Sequence, residues 1–120
     1  MPSAPSVQIF GFRDCPDTRK AQRFFAERRI AVHFVDLTVR PAAAGELRPF
    51  QERFGATALV DRQGRRFREL GFRASGDSPE RLLQRALVEP RLLRTPLVRF
   101  GARRAVGHQP DEWQRWVEAR

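Results

Sequence analysis

The chain contains one cysteine, Cys15, and the residues around it favour the ionised form of its thiol. Asp14 as a capping residue, followed by Pro16 and Asp17, is typical of a helix start, so we expect Cys15 in the first turn of a helix. N–H groups at a helix N-terminus can lower the pKa of a cysteine from about 8.5 to between about 3.5 and 7.5. Because the thiolate is the nucleophile, the sequence indicates nucleophilic thiol chemistry at Cys15.

Charged side chains near Cys15 act on its thiol in both directions. Arg13, Arg19 and Lys20 would stabilise the thiolate and, with the helix N–H groups, would hold an oxyanion above the sulfur. The two neighbouring aspartates add negative charge, so we predict a lowered but not an extreme pKa. The alternative interpretation is an inert cysteine, because a free cysteine is commonly a small buried apolar side chain.

The elements that must position Cys15 form a β-α-β unit. Residues 7–10 predict a short strand that Gly11 closes. Apolar residues at helical spacing predict that the helix that starts after Asp14 runs to about residue 28, and β-branched and aromatic residues predict a second strand over 30–35. Because the helix carries the chain back across the sheet, the two strands are predicted to be parallel.

The rest of the chain predicts further helices and a hairpin, and hence an α/β fold. A helix from residue 110 has Trp113 and Trp116 on one face, which favours a packed core over a ligand-stacking role. The arginine-rich passage 57–71 has no regular pattern and is expected to be irregular, within an insertion on the β-α-β unit. The other predicted elements are helices over 41–54 and 79–89 and strands over 96–100 and 105–107.

Length and composition predict one domain. A chain of 120 residues with 41% hydrophobic residues can bury one core, so we expect a flexible leader over 1–6 and a single domain over 7–120. The first ten residues lack the pattern of a secretory signal, and arginine interrupts the apolar runs before they reach the ~18–20 residues of a membrane helix. We therefore expect a cytoplasmic protein that does not cross a membrane.

The net charge of +9 indicates which kinds of partner the protein would attract. It would attract phosphates, small oxyanions, acidic peptides or nucleic acid. The densest basic cluster, Arg62, Arg65, Arg66 and Arg68, has only Phe67 beside it and so lacks the aromatic side chains of a base-stacking surface. Direct nucleic-acid binding is therefore not favoured. A metal site is not expected either, because neither histidine has Cys, Asp or Glu at ligand spacing.

Several segments carry a resemblance to a known family over residues 7–116. The run Cys15-Pro16-Asp17-Thr18-Arg19-Lys20-Ala21 resembles the Cys-x-x-[Ser/Thr/Cys]-Arg/Lys-Lys-Ala opening of the arsenate-reductase-like family. Segments 58–70 and 89–98 resemble, in the same order, the family's arginine-glycine segment and its Pro-x-Leu-Ile-x-Arg-Pro-Ile-Val stretch. The family includes glutathione-linked arsenate reductases, the Spx-type regulators of RNA polymerase and further thiol proteins.

The resemblance implies a thioredoxin-like fold, with a mixed four-stranded sheet flanked by helices and a helical insertion. It implies an oxidoreductase whose nucleophile, Cys15, forms a mixed disulfide that glutathione or thioredoxin resolves as external reductant, with no bound cofactor. It also implies a cis Thr95–Pro96 bond facing the cysteine. The residues that it implies for anion and thiol binding are Arg13, Thr18, Arg19, Arg62, Arg94, Thr95, Pro96 and Arg104.

Departures from the family pattern bear on the substrate. The family's arsenate reductases bind their oxyanion with three arginines, and Thr95 and Asp61 stand at two of these places, each beside an arginine. Neighbours on a strand point to opposite faces, so an adjacent arginine is not a substitute. The third place falls at Arg103 or Arg104 in the hairpin. Arsenate is therefore not the expected substrate.

Two other functions stay open. Thr18 stands where the Spx-type switch has a second cysteine, so an internal disulfide is excluded. A Spx-like regulator or adaptor would instead use the basic surface to bind RNA polymerase or another acidic partner, and would not need Cys15. Direct nucleic-acid binding is the least favoured of the three hypotheses. A Cys15 pKa at or above the ordinary value would favour the regulator over the enzyme.

Overall fold

The computed structural model describes residues 6–119 of the chain. Residues 1–5 of the predicted leader lie outside the described residues, and Ser6 begins the first strand. In chain order the strands and helices are β1 (Ser6–Gly11), α1 (Pro16–Glu27), β2 (Ala31–Asp36), α2 (Ala44–Phe54), α3 (Ala56–Leu59), α4 (Arg65–Glu69), α5 (Pro79–Val88), β3 (Leu97–Phe100), β4 (Arg103–Val106) and α6 (Pro110–Glu118). Short 3-10 turns lie at Phe72–Ala74 and Pro90–Leu92.

The chain divides into two compact units. The first comprises the described residues 6–37 and 95–119, and it holds the sheet together with α1 and α6. The second comprises residues 38–94 and holds α2 to α5. A single domain over 7–120 stays a prediction.

The sheet of the first unit has four strands in the order β2-β1-β3-β4. β1 pairs with β2 in parallel and with β3 antiparallel, and β3 and β4 form an antiparallel hairpin. The predicted parallel pair, the hairpin and the mixed four-stranded sheet are thereby confirmed. A parallel pair needs a crossover connection, which α1 supplies between β1 and β2.

One face of this sheet carries the core of the first unit. Val7 and Ile9 of β1 pack with Phe25 of α1 and Trp113 of α6. Phe25 and Trp113 are both 0% exposed, and their ring centroids are 5.8 Å apart. Trp116 is also buried, which confirms the core interpretation of the tryptophan pair. Both α1 and α6 therefore pack on the same face of the sheet.

In the second unit, the structure of residues 57–71 differs from the prediction. The passage was expected to be irregular, but it contains the last residues of α3 and all of α4. The Arg68 N–H donates to the Gly64 carbonyl at 3.3 Å at the start of α4. Helices of four or five residues are too short to show an apolar period, which is why the pattern missed them. α5 begins as predicted, with the Ser78 hydroxyl accepting from the Arg81 N–H at 3.2 Å.

Candidate active site

Cys15 lies at the junction between β1 and α1. The Cys15 N–H donates to the Phe12 carbonyl at 3.0 Å in the turn that follows β1. Its backbone is extended (φ −85°, ψ 116°), and it caps the helix that begins at Pro16. The prediction of Asp14 as the cap and Cys15 inside the first turn is therefore wrong by one residue. The reason is steric, because a proline disfavours helical backbone at the residue before it.

The sulfur of Cys15 contacts the loop that carries the cis proline. The Thr95–Pro96 bond is cis, which confirms the prediction. The Thr95 hydroxyl donates to the Cys15 sulfur at 3.4 Å, and the thiol lies 4.0 Å from the Thr95 carbonyl oxygen. The Gly107 N–H donates to the Pro96 carbonyl at 2.8 Å, so the end of the hairpin holds this loop. Residues separated by 80 positions are thus adjacent at the sulfur.

The pKa of Cys15 is lowered from its ordinary value. Burial of this half-buried side chain raises the pKa, but hydrogen bonds to the sulfur together outweigh burial. The Thr18 hydroxyl lowers it most, followed by the Thr95 hydroxyl and the N–H groups of Thr18 and Asp17. These two N–H groups belong to the second and third residues of α1, the positions that face an N-cap side chain, although the Cys15 thiol makes no capping hydrogen bond of standard geometry to them. The site therefore stabilises a thiolate in the position of a helix cap.

Thr18 is fully buried beside the sulfur. Its side chain is 0% exposed, and within residues 6–119 its hydroxyl has no hydrogen-bond partner of standard geometry. The Thr18 hydroxyl lowers the Cys15 pKa, because a thiolate accepts a hydrogen bond more strongly than a thiol, which is a weak acceptor. An unpaired buried hydroxyl costs about 1–3 kcal/mol. Ionisation of Cys15 removes that cost, which is a physical reason for the lowered pKa.

Gly11 provides the space in which Thr18 lies. A Cβ atom on Gly11 would be 2.6 Å from Thr18 Cγ2 and 3.0 Å from Thr18 Cβ. The sequence pattern around Gly11 indicates only that this residue closes the first strand. A close approach between a strand end and the third residue of a helix has no local signal, so it becomes visible only in the folded chain.

Replacing Gly11 by alanine is expected to destabilise the protein by about 1–3 kcal/mol, as overpacking does. The added methyl group must displace Thr18, so the alkylation of Cys15 by iodoacetamide should also slow near neutral pH. Chemical denaturation and alkylation rates measure the two effects. Gly45→Ala in α2 is the matched control, because nothing lies within 4 Å of a Cβ there. A Gly45→Ala variant destabilised as much as Gly11→Ala would contradict this account.

The predicted cations beside Cys15 contact backbone and carboxylate groups. Arg13 Nε donates to Asp36 at 3.0 Å, and the Arg19 guanidinium donates to the Arg13 carbonyl at 2.9 Å. The Lys20 ammonium lies 3.9 Å from the Asp17 carboxylate. These contacts order the turn that precedes α1. Anion binding by Arg13 and Arg19 stays a prediction.

Two further predicted site residues belong to the second unit. Arg94 is exposed, and its Nε donates to the Ala58 carbonyl at 3.1 Å. Arg62 is also exposed and lines a cavity of about 290 Å³ together with Phe67 and Phe72. Binding of an anion or a thiol by Arg62 and Arg94 stays a prediction.

Arg104 does not lie at the sulfur. It belongs to β4, and its guanidinium donates to the Gly101 carbonyl at 2.8 Å. Gly101 lies in the turn of the hairpin, whereas Thr95 precedes the opposite end of β3. The guanidinium group of Arg104 therefore lies at the turn of the hairpin, away from the end of β3 that faces Cys15.

Metal-binding clusters and membrane-spanning helices are absent from residues 6–119. No group of three or more His, Cys, Asp and Glu side chains there is arranged to hold a metal ion. His33 lies in β2, and the ring of His108 packs edge-on against Trp113 with centroids 5.5 Å apart. No helix in the same range is long and apolar enough to cross a membrane.

The chain is similar to known proteins over most of its length. Global transcriptional regulator Spx 2 of Oceanobacillus iheyensis is 25% identical over 114 residues, covering 93% of this chain and 84% of the regulator. A solved structure of a YffB protein superimposes with a TM-score of 0.82 at 22% identity, covering 92% of this chain and 97% of that one. An arsenate reductase from Vibrio cholerae gives a TM-score of 0.79 at 20% identity, covering 94% and 98%.

These structural likenesses show the fold, which is the predicted thioredoxin-like α/β fold. The family assignment comes from the sequence, because the model of the ArsC family matches residues 10–116. That range includes Cys15, Thr18 and the cis Thr95–Pro96 bond. The chain therefore belongs to the ArsC family of thioredoxin-fold proteins, of which some are arsenate reductases and some are Spx regulators.

Proposed function

We propose that this protein is a single-cysteine thiol oxidoreductase that works through a mixed disulfide at Cys15. The observation that carries the proposal is the environment of the sulfur, a half-buried helix cap whose pKa two hydroxyl groups and two N–H groups lower. A thiolate attacks a disulfide, whereas a thiol does not. The buried Thr18 hydroxyl has no hydrogen-bond partner of standard geometry among residues 6–119, and such a hydroxyl is costly beside a neutral, merely structural thiol.

In the proposed reaction the Cys15 thiolate attacks one sulfur of a substrate disulfide. A bond forms between the two sulfurs, the substrate S–S bond breaks, and the other substrate sulfur leaves as a thiolate. Because the chain holds no second cysteine, a thiolate of glutathione or thioredoxin then attacks the substrate sulfur of the mixed disulfide, which releases the Cys15 thiolate and joins the substrate to the reductant. A second thiol of the reductant displaces the substrate as a thiol and leaves the reductant as a disulfide. Two thiol groups of the reductant are oxidised for each substrate disulfide reduced. Such a cycle needs a reducing compartment, so we place the protein in the cytoplasm.

A sulfur substrate fits the site better than arsenate does. The neutral residue Thr95 contacts the Cys15 sulfur where the resemblance implies an arginine. The adjacent Arg94 donates to the Ala58 carbonyl, and Arg13 pairs with a carboxylate. Strong oxyanion binding relies on charge-assisted, bidentate donors, and the hydrogen bond of each of these two guanidinium groups orients its Nε toward another partner. We therefore propose a disulfide of a small thiol or of a protein as the substrate.

Mixed-disulfide formation tests the proposal. The reduced protein is incubated with glutathione disulfide, and intact mass spectrometry is expected to show one glutathionyl group, mapped to Cys15 by proteolysis. Added glutathione or reduced thioredoxin should remove it, and the faster of the two identifies the class of reductant. If no adduct forms in excess glutathione disulfide, although thiol titration finds Cys15 reduced, the oxidoreductase proposal fails.

A regulatory function is the second candidate. The relative named global transcriptional regulator Spx 2 and the net charge of +9 favour it. In this alternative the chain binds RNA polymerase or another acidic partner, and Cys15 is dispensable. Surface plasmon resonance with purified RNA polymerase separates the two functions. Saturable binding that Cys15→Ser leaves unchanged, in a protein that forms no mixed disulfide, would favour the regulator.

A further inference from the structure

Four polar residues form a row across the sheet, which we call the polar row. His33 of β2 pairs with Gln8 of β1. Gln8 pairs with Arg99 of β3, and Arg99 pairs with Arg104 of β4. The adjacent residue of β1, Ile9, belongs to the core on the face that carries α1 and α6. Because side chains alternate along a strand, the polar row lies on the opposite face.

An open cavity of about 310 Å³ lies at the polar row. Its lining residues are Ser6, Val7, Gln8, His33, Arg99 and Gly101. His33 and Arg99 are exposed, so the cavity is open to solvent. Its volume is at the lower end of the range of small-molecule sites, which favours a compact ligand over a protein segment.

The polar row brings two guanidinium groups directly opposite each other. Residues paired across antiparallel strands have Cβ atoms about 4.5–5.5 Å apart, and like charges at this distance are destabilising. Burial and then the charge of Arg99 lower the pKa of Arg104. The hydrogen-bond partner of Arg99 is neutral, because its guanidinium donates to Gln8 Oε1 at 3.5 Å. Positive charge is therefore concentrated beside the cavity, which Arg99 lines and which Arg104 adjoins only through its pairing with Arg99.

We propose that the polar row binds a phosphate-type oxyanion, carried by inorganic phosphate or by a small phosphate monoester. Guanidinium groups are planar forks that match phosphate oxygens, and two on neighbouring strands can share one tetrahedral anion. His33 and the Gln8 amide add donors on the other side of Arg99. A bound anion also removes the repulsion within the arginine pair. The site is distinct from the thiol site, because Cys15 follows the opposite end of β1.

Titration of the full chain followed by two-dimensional amide NMR tests the location. Inorganic phosphate and glycerol 3-phosphate are each added at about 0.1 M salt, where long-range attraction is screened. Saturable shifts are expected at Gln8, His33, Arg99, Gly101 and Arg104. Tighter binding of the monoester would identify an organic phosphate as the ligand, and equal binding would identify the free ion. Shifts centred instead on the first turn of α1 would overturn the proposal.

Substitutions separate a specific site from general charge. Arg99→Gln is expected to weaken phosphate binding by at least about tenfold, and Arg99→Lys should restore only part of it. Arg23→Gln, at an exposed residue of α1, removes the same charge and should weaken binding by about twofold or less. Equal losses in Arg99→Gln and Arg23→Gln would overturn the proposal.

Thermal unfolding and titration with an acidic peptide provide two further tests of the proposal. Without phosphate, Arg99→Gln is expected to raise the thermal midpoint, because it removes a like-charge pair, and this also shows that the variant folds. Phosphate should then raise the midpoint of the wild-type protein and not that of Arg99→Gln. If an acidic peptide shifts the polar row and binds more tightly than either phosphate compound, the row is a protein-binding surface and the phosphate proposal is wrong.

Discussion

Replacing Cys15 by serine is expected to abolish mixed-disulfide formation and to lower thiol-disulfide exchange by roughly a thousandfold or more. Serine keeps the size of the side chain, but its hydroxyl does not ionise near neutral pH and forms no S–S bond. The proposed cycle has no second cysteine that could take over the reaction. Exchange is measured with glutathione and a small disulfide, by coupling glutathione-disulfide production to glutathione reductase.

The serine variant is also a fair structural control. Serine is among the preferred residues at a helix N-cap, so α1 should begin at the same place. We expect an unchanged circular dichroism spectrum and a thermal midpoint within a few degrees of wild type. Retention of exchange activity in this folded variant would remove the enzyme proposal and leave the regulator as the better candidate.

Removing the hydroxyl groups of Thr18 and Thr95 is expected to raise the pKa of Cys15 toward its ordinary value. Each hydroxyl lowers that pKa, and a net hydrogen bond is worth about 1 kcal/mol, or about fivefold in an equilibrium. Thr18→Val and Thr95→Val should therefore each slow iodoacetamide alkylation about fivefold at about pH 6. The double variant should slow it by up to about twenty-fivefold, and less if the two hydroxyls are coupled.

The sign of the pH dependence follows from the thiolate fraction. Because the wild-type pKa is lowered, its alkylation rate rises at lower pH than the rates of the variants. The curves should converge above about pH 8.5, where an ordinary cysteine is also ionised. A rate difference that persists at high pH would show that the substitutions changed access to the sulfur and not its ionisation.

Thr18→Val is expected to slow the alkylation of Cys15 but to increase the stability of the folded protein in acid. Valine keeps the branched shape and removes a buried hydroxyl that lacks a partner of standard geometry in the described chain. In acid, where Cys15 is a thiol, the variant should be about 1 kcal/mol more stable than wild type. Loss of stability in acid would instead show that the hydroxyl has a structural role.

At higher pH the wild-type protein should become more stable to unfolding than Thr18→Val. The unfolded chain binds more protons than the folded protein between the lowered pKa of Cys15 and its ordinary value, so the unfolding free energy of wild type rises with pH there. The same contribution is lost as the pH falls through the folded-state pKa. Denaturation of both proteins in acid and in mild alkali checks the crossover.

Much of the fold could be predicted from local pattern. The apolar runs, the helical spacing of Ala21, Phe24 and Phe25 and the turn residues near Cys15 depend on neighbours in the chain, so β1, α1, β2 and the hairpin were recognisable. The motif around the cysteine also indicated the family that the comparison confirms. Local pattern failed at α3 and α4, which are shorter than an apolar period can reveal.

The sequence by itself determined that a lone cysteine lies where a strand passes into a helix. The end of a strand and the start of a helix are specified by residues that are neighbours in the chain. Only the tertiary structure decided what surrounds the sulfur, since Thr95 comes from 80 positions away and Gly11 makes room for Thr18 only when strand and helix meet. The polar row likewise depends on register across four strands. A slip of one residue would turn Arg99 to the core face, and no local pattern specifies that pairing.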